Sequence, residues 1–148
     1  MTSVPAPSPQ PKFSPDPLTQ DHARILGPVE LYVSGIGRVG RRVFVPAIIV
    51  VILAYEFYER TGAVVHWITG WVAYPVLMCA AASVLSKRLH DRGRAGWWSA
   101  LPILAYPWIR PWPEGIFGGV CLGIVLWYAV GLSFWPGQKG FNRFGPRG

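Results

Sequence analysis

Four apolar stretches, at residues 43–58, 64–86, 97–109 and 115–135, alternate with short polar joints that hold almost all of the chain's charge. A helix inside a large globular protein can also be apolar all round, but 148 residues cannot wrap four such helices in amphipathic ones. The pattern predicts an all-α fold: a small polytopic membrane helix bundle of four transmembrane helices, with spans about 43–60, 64–86, 97–112 and 115–135. No apolar segment precedes residue 43, so the first stretch is expected to remain as an anchor and not to be cleaved as a signal peptide.

The spans are unequal. Crossing roughly 30 Å of hydrocarbon takes about 20 helical residues, which 64–86 and 115–135 supply, whereas 43–58 needs its flank through Glu59. The third is short and proline-broken. Pro102 and Pro107 each remove a backbone donor, and even extended to Trp112 the segment covers only about 24 Å. A re-entrant hairpin is its alternative form.

The net charge of +7 is too small to act as a nucleic-acid handle without reading motifs, so no nucleic-acid partner is expected. The distribution of charge says more. Basic residues gather in the arm (Lys12, Arg24, Arg38, Arg41, Arg42), in the 87–94 joint (Lys87, Arg88, Arg92, Arg94) and in the tail (Lys139, Arg143, Arg147), leaving only Arg60 and Arg110 elsewhere. With four spans, these three groups share one side, and the excess of Lys and Arg makes it cytoplasmic, with both termini inside. Aromatic residues mark the same two levels: Phe44, Trp97, Trp98, Phe134 and Trp135 at the cytoplasmic ends, and Tyr55, Tyr58, Trp67, Trp108 and Trp112 at the outer ends.

Six prolines within the first 17 residues make residues 1–30 a Pro-rich, largely disordered cytoplasmic arm. Within it, Asp16 and Pro17 read as the cap and first residue of a short helix that Gly27 and Pro28 stop. Residues 31–148 form the transmembrane domain, with a cytoplasmic tail at 136–148. Gly115, Gly119 and Gly123 recur every four residues on one face of the last span, a helix-packing pattern within the bundle or between two copies.

Chemistry finds no foothold. Cys79 and Cys121 lie in apolar spans as small core residues, and His22, His66 and His90 are scattered, so no catalytic residue, metal site or cofactor is expected. Glu56 is the one acid within a span and is expected to snorkel outward.

The most specific string is KRLHDRGRAGWW at 87–98. Taken alone it is a basic turn whose tryptophans set the next helix at the interface. Together with Gly37, Arg38, Arg41, Arg42 and Phe44 before it, and Pro136, Gly137, Gly140, Asn142, Arg143, Phe144, Gly145 and Pro146 after it, the string resembles the bacterial inner-membrane family called domain of unknown function 805. The resemblance covers roughly 31–146 and implies a multi-pass bacterial plasma (inner) membrane protein with no activity to assign. Gly40 departs from the family's usual small hydroxyl residue, which weakens the cap of the first span.

The expected function is a non-enzymatic scaffold or interaction protein. Its candidate cytoplasmic cluster is Arg38, Arg41, Arg42, Arg88, His90, Asp91, Arg94, Trp97, Trp98, Asn142 and Arg143, with Asp91 paired to Arg38 or Arg143. Expected partners are the lipid bilayer with its anionic lipid headgroups, a membrane-protein partner or a second copy of the chain. The alternative is a small transporter or channel component acting as an oligomer, lined by the broken third span and the glycine face of the fourth.

Overall fold

The computed structural model describes residues 27–140 and 142–144; the helix expected after Asp16 lies outside them. Among the described residues the fold is all-helical, with α1 (Pro28–Val33), α2 (Arg41–Glu59), α3 (Ala63–Asp91), α4 (Ala100–Ala105) and α5 (Gly115–Phe134). Two 3₁₀ turns, Gly96–Ser99 and Tyr106–Ile109, flank α4. Residues 28–30, expected to belong to the disordered arm, instead open a helix at Pro28, because proline's fixed φ and missing N–H suit the first helical position.

Helix α2 starts at Gly40 without a side-chain cap, as the missing hydroxyl foretells. It ends at a tight turn in which Gly62, at φ 90°, adopts a backbone that other residues rarely hold, and the chain reverses into α3. At 29 residues α3 is about 44 Å long, longer than the roughly 30 Å of a bilayer's hydrocarbon core. It stops in a Schellman motif: Gly93, at φ 70°, donates to the His90 carbonyl, and Arg94 N–H donates to that of Leu89. Residues 87–91 are therefore the last helical turns, and the reversal is confined to the few residues after them.

The third apolar stretch is a continuous run of three short helical pieces about 25 Å long. Its prolines do not break it. Pro102 lies in the first turn of α4 and Pro107 opens the second 3₁₀ turn, where a missing donor costs little.

Among the described residues, only α3 and α5 are long and apolar enough to cross a membrane, with mean hydropathy 1.7 and 2.0. In each, only 22% of the apolar window is buried, so both present apolar side chains outward; a soluble core helix would hide them. Helix α2 has the length, but Arg41, Arg42, Glu56 and Glu59 bring charge into it. Cys79 faces outward as well, in contrast to the core position expected for it, while Cys121 is buried.

The hydrophobic core lies toward one end of the bundle, around Leu31, Phe44, Val84, Leu85, Leu89 and Leu132. This is the end that carries the basic joint. Phe44 is buried there under the Arg88 guanidinium and is not an interfacial anchor. At the opposite end Glu56 does not snorkel freely: it pairs with Arg110 and accepts a 3.0 Å hydrogen bond from Tyr106.

Within the chain, Gly115, Gly119 and Gly123 meet open space and pack against nothing. The close approach on α5 falls at Gly118, where a Cβ would stand 2.9 Å from the Pro113 backbone. Gly118→Ile should therefore cost about 1–3 kcal/mol of stability, while Gly119→Ile should leave it unchanged. Thermal denaturation of the two variants in detergent checks this, and equal losses would refute it.

Candidate functional site

Where α3 ends, three of its side chains turn inward at successive helical positions. Lys87, Arg88 and Asp91 are each at most 1% exposed. Spacing places Asp91 one turn beyond Arg88 on the same face, and the two carboxylate oxygens are divided between two guanidiniums. Oδ1 accepts from Arg38 Nη2 at 3.1 Å, and Oδ2 accepts from Arg88 Nη1 at 2.5 Å. Of the two partners expected for Asp91, Arg38 is the one observed; Arg88 takes the other place, and Arg143 donates to the Gly93 carbonyl at 3.2 Å.

Further donors of these cations reach backbone carbonyls. Arg88 Nε and Nη2 donate to Leu132 O and Trp135 O, at 2.8 and 2.7 Å. Lys87 Nζ donates to Glu30 O and, at 3.1 Å, to Leu31 O. Arg38 donates to Gln138 O and Gly140 O, each at 2.7 Å. Leu31 and Leu132 lie in the last turns of α1 and α5, where carbonyls run out of intrahelical donors and sit at the negative ends of the helix dipoles, while Glu30 O accepts from Ser34 N–H as well. Lys87 and Arg88 of α3 thereby cap two other helices, and Arg38, from the approach to α2, holds the tail.

The tail is folded onto the same point. Gln138 N–H donates to the Asp91 carbonyl at 2.8 Å, Asn142 donates to His90 O at 2.9 Å, and Phe144 stacks on the His90 ring at 4.0 Å between centroids. Gly137 has to be glycine, since a Cβ there would fall 1.7 Å from Asp91 Oδ2.

His90 and Asp91 point apart, as neighbours on a helix do. His90 Nδ1 lies 3.3 Å from the Gly37 carbonyl, and its pKa is lowered from 6.5. Burial is the main cause and the Arg143 charge adds to it, against a contrary pull from Gly37. Burial likewise lowers Lys87, with Glu30 opposing.

The expected cluster thus divides in two. Arg38, Arg88, His90, Asp91 and Asn142 are woven into the chain's interior, whereas Arg41, Arg42, Arg94, Trp97 and Arg143 are exposed and Trp98 is half-buried, stacked on Trp97 at 4.4 Å. Lys87 joins the buried group, and half-buried Gly137 and the backbone of exposed Gln138 lie against Asp91, although none of the three was in the expected cluster. The helical register of Lys87 with Asp91 was the available signal.

Removing the carboxylate would leave two guanidiniums buried face to face. Asp91→Ala should lose about 3–5 kcal/mol of stability and lower the yield in the membrane. Gly137→Ala, which changes no polar group, should reproduce the loss by pushing on the same carboxylate. Unchanged melting temperatures would refute the lock.

Acid should loosen the tail. Because the unfolded chain binds a proton on His90 before the folded one does, stability falls as pH drops from 6.5 through the lower folded pKa. Nuclear magnetic resonance of the His90 ring should show titration below 6.5, accompanied by loss of its contact with Phe144.

A family model described as "Protein of unknown function (DUF805)" matches residues 32–146. Two Escherichia coli proteins, from strain K12 and from O157:H7 and both named "Uncharacterized protein YiiR", are each 34% identical over 79 residues, or 47% of this chain. The match covers 53% of each of them, so the chain spans about half the length of these curated relatives. No solved structure matches. The family match takes in Arg38, Arg88, Asp91 and the tail residues folded onto them, and the chain belongs to the DUF805 family.

Proposed function

We propose that this protein is a non-enzymatic, four-pass protein of the bacterial inner membrane, with both termini in the cytoplasm. Its basic end serves as a platform for anionic lipid or for a partner protein. The observation that carries this reading is the division of the basic residues. One set is spent on Asp91 and on helix-end carbonyls, which builds a rigid end to the bundle. A second set, including Arg41, Arg42 and Arg94, is left exposed around that end. Each such cation near an anionic leaflet contributes about 1 kcal/mol of attraction.

A transporter reading draws support from a different feature. An apolar cleft of about 390 Å³ opens between α2, α3, α4 and α5, with Pro102, Ile103, Tyr106 and Tyr128 among its walls. The unbroken third segment lines it, but Gly115, Gly119 and Gly123 do not. Its walls offer few polar groups to bind a solute.

Reporter fusions after Gly148 and within the turn at Gly62 test the topology. Activity of the first inside the cell and of the second outside is expected, and a tail reporter active only outside would overturn four spans. Mass spectrometry of the protein extracted in native nanodiscs tests the role. A stoichiometric protein or retained anionic lipid is expected, whereas a retained small solute would favour transport.

A further inference from the structure

Beside the lock lies a second recess, of about 290 Å³, between the end of α3, the start of the third segment and the last turns of α5. Its walls are apolar and aromatic, with Trp98, Leu101, Ile124 and Trp127 among them, and Arg92 and Arg94 stand on its rim. Trp127 and Leu101 are exposed, so the recess is open sideways on the same surface that α5 turns outward.

The two rim arginines differ from Arg38 and Arg88 in having no acid to share. No acidic residue lines the recess, and among the described residues no carboxylate lies within ion-pair distance of Arg92 or Arg94. Arg92 is held in place by the Gly131 carbonyl at 3.3 Å and by the Trp135 ring 5.1 Å beneath it. Burial and the neighbouring Arg94 charge both disfavour its cation. Two like charges therefore line one largely apolar recess, an arrangement that a bound anion would relieve.

We propose that this recess binds one anionic phospholipid, its phosphodiester between Arg92 and Arg94 and one acyl chain against Leu101, Ile124 and Trp127. Both halves of the site require such a ligand. A free phosphate would leave the apolar walls uncovered, and a zwitterionic lipid would bring its own cation toward two arginines. Basic pockets between helices at a membrane surface recognise lipid headgroups in this way. The site rests on the proposed reading of a bilayer-embedded bundle whose basic end meets anionic lipid, and gives that contact a location.

The test uses the full chain in phosphatidylcholine vesicles containing increasing fractions of phosphatidylglycerol, with brominated chains on one lipid at a time to quench tryptophan. Brominated phosphatidylglycerol should quench at lower mole fractions than brominated phosphatidylcholine. Arg94→Gln, a change at an exposed side chain, should weaken that preference about fivefold, and adding Arg92→Gln should abolish it. Arg41→Gln with Arg42→Gln, which removes the same amount of charge outside the recess, should weaken it less than Arg92→Gln with Arg94→Gln does, and inorganic phosphate should not compete.

A preference untouched by Arg94→Gln and by the double variant overturns the recess as the site. Loss of the preference with Arg41→Gln and Arg42→Gln instead sinks the recess but keeps the broader reading of a lipid-contacting end. Absence of any preference in the unaltered chain sinks both. Competition by inorganic phosphate overturns the assignment to lipid.

Discussion

One carboxylate organises this molecule. Asp91 is wholly buried at the end of α3 and is shared by Arg38 and Arg88, which come from different parts of the chain. Two buried cations cannot be balanced by a single anion alone. The remainder is offset by dipoles: carbonyls at the ends of α1 and α5 and in the tail point their oxygens at Lys87, Arg88 and Arg38. Each charged side chain in the cluster thus finds partners, and such pairing is what lets a buried ionic network hold a structure together. The same mutual dependence makes it fragile to the loss of any one member.

The opposite end is built differently. Glu56 and Arg110 pair with side chains 24% and 35% exposed, and Tyr74 donates to Glu59 at 2.8 Å. Such partly solvated contacts contribute little where water can screen them. Between the two ends lies the apolar cleft, roofed by the short third segment. The bundle is accordingly fastened tightly at one end and loosely at the other, with its least filled region in between.

Much of this was legible from residues alone. The helices fall close to the apolar stretches because hydropathy dictates burial in lipid or core, and the Gly93 stop of α3 follows from glycine's access to positive φ. The division of the arginines was not legible. Arg38, Arg41 and Arg42 are near neighbours in sequence, yet Arg38 lies in the approach to α2 and is turned inward by a carboxylate 53 positions away. A pairing of that range is set by tertiary packing, which local pattern does not encode. Within one chain, glycine spacing missed the close approach for a related reason. Four-residue repetition picked out Gly115, Gly119 and Gly123, but the neighbour that demands a small residue is Pro113, and it lies against Gly118.

On the proposed topology, the basic residues serve at two different times. An inserting chain has not yet formed its tertiary contacts, so all of its cations bear on orientation. Folding then withdraws Arg38, Lys87 and Arg88 from solvent and spends them on Asp91 and on helix ends. What the finished protein can offer to a lipid or a partner is only the remainder, at positions such as Arg41, Arg42 and Arg94. A reading that counts every Lys and Arg as surface charge overstates the field of the folded molecule, and it misses that the buried cations determine where the exposed ones stand.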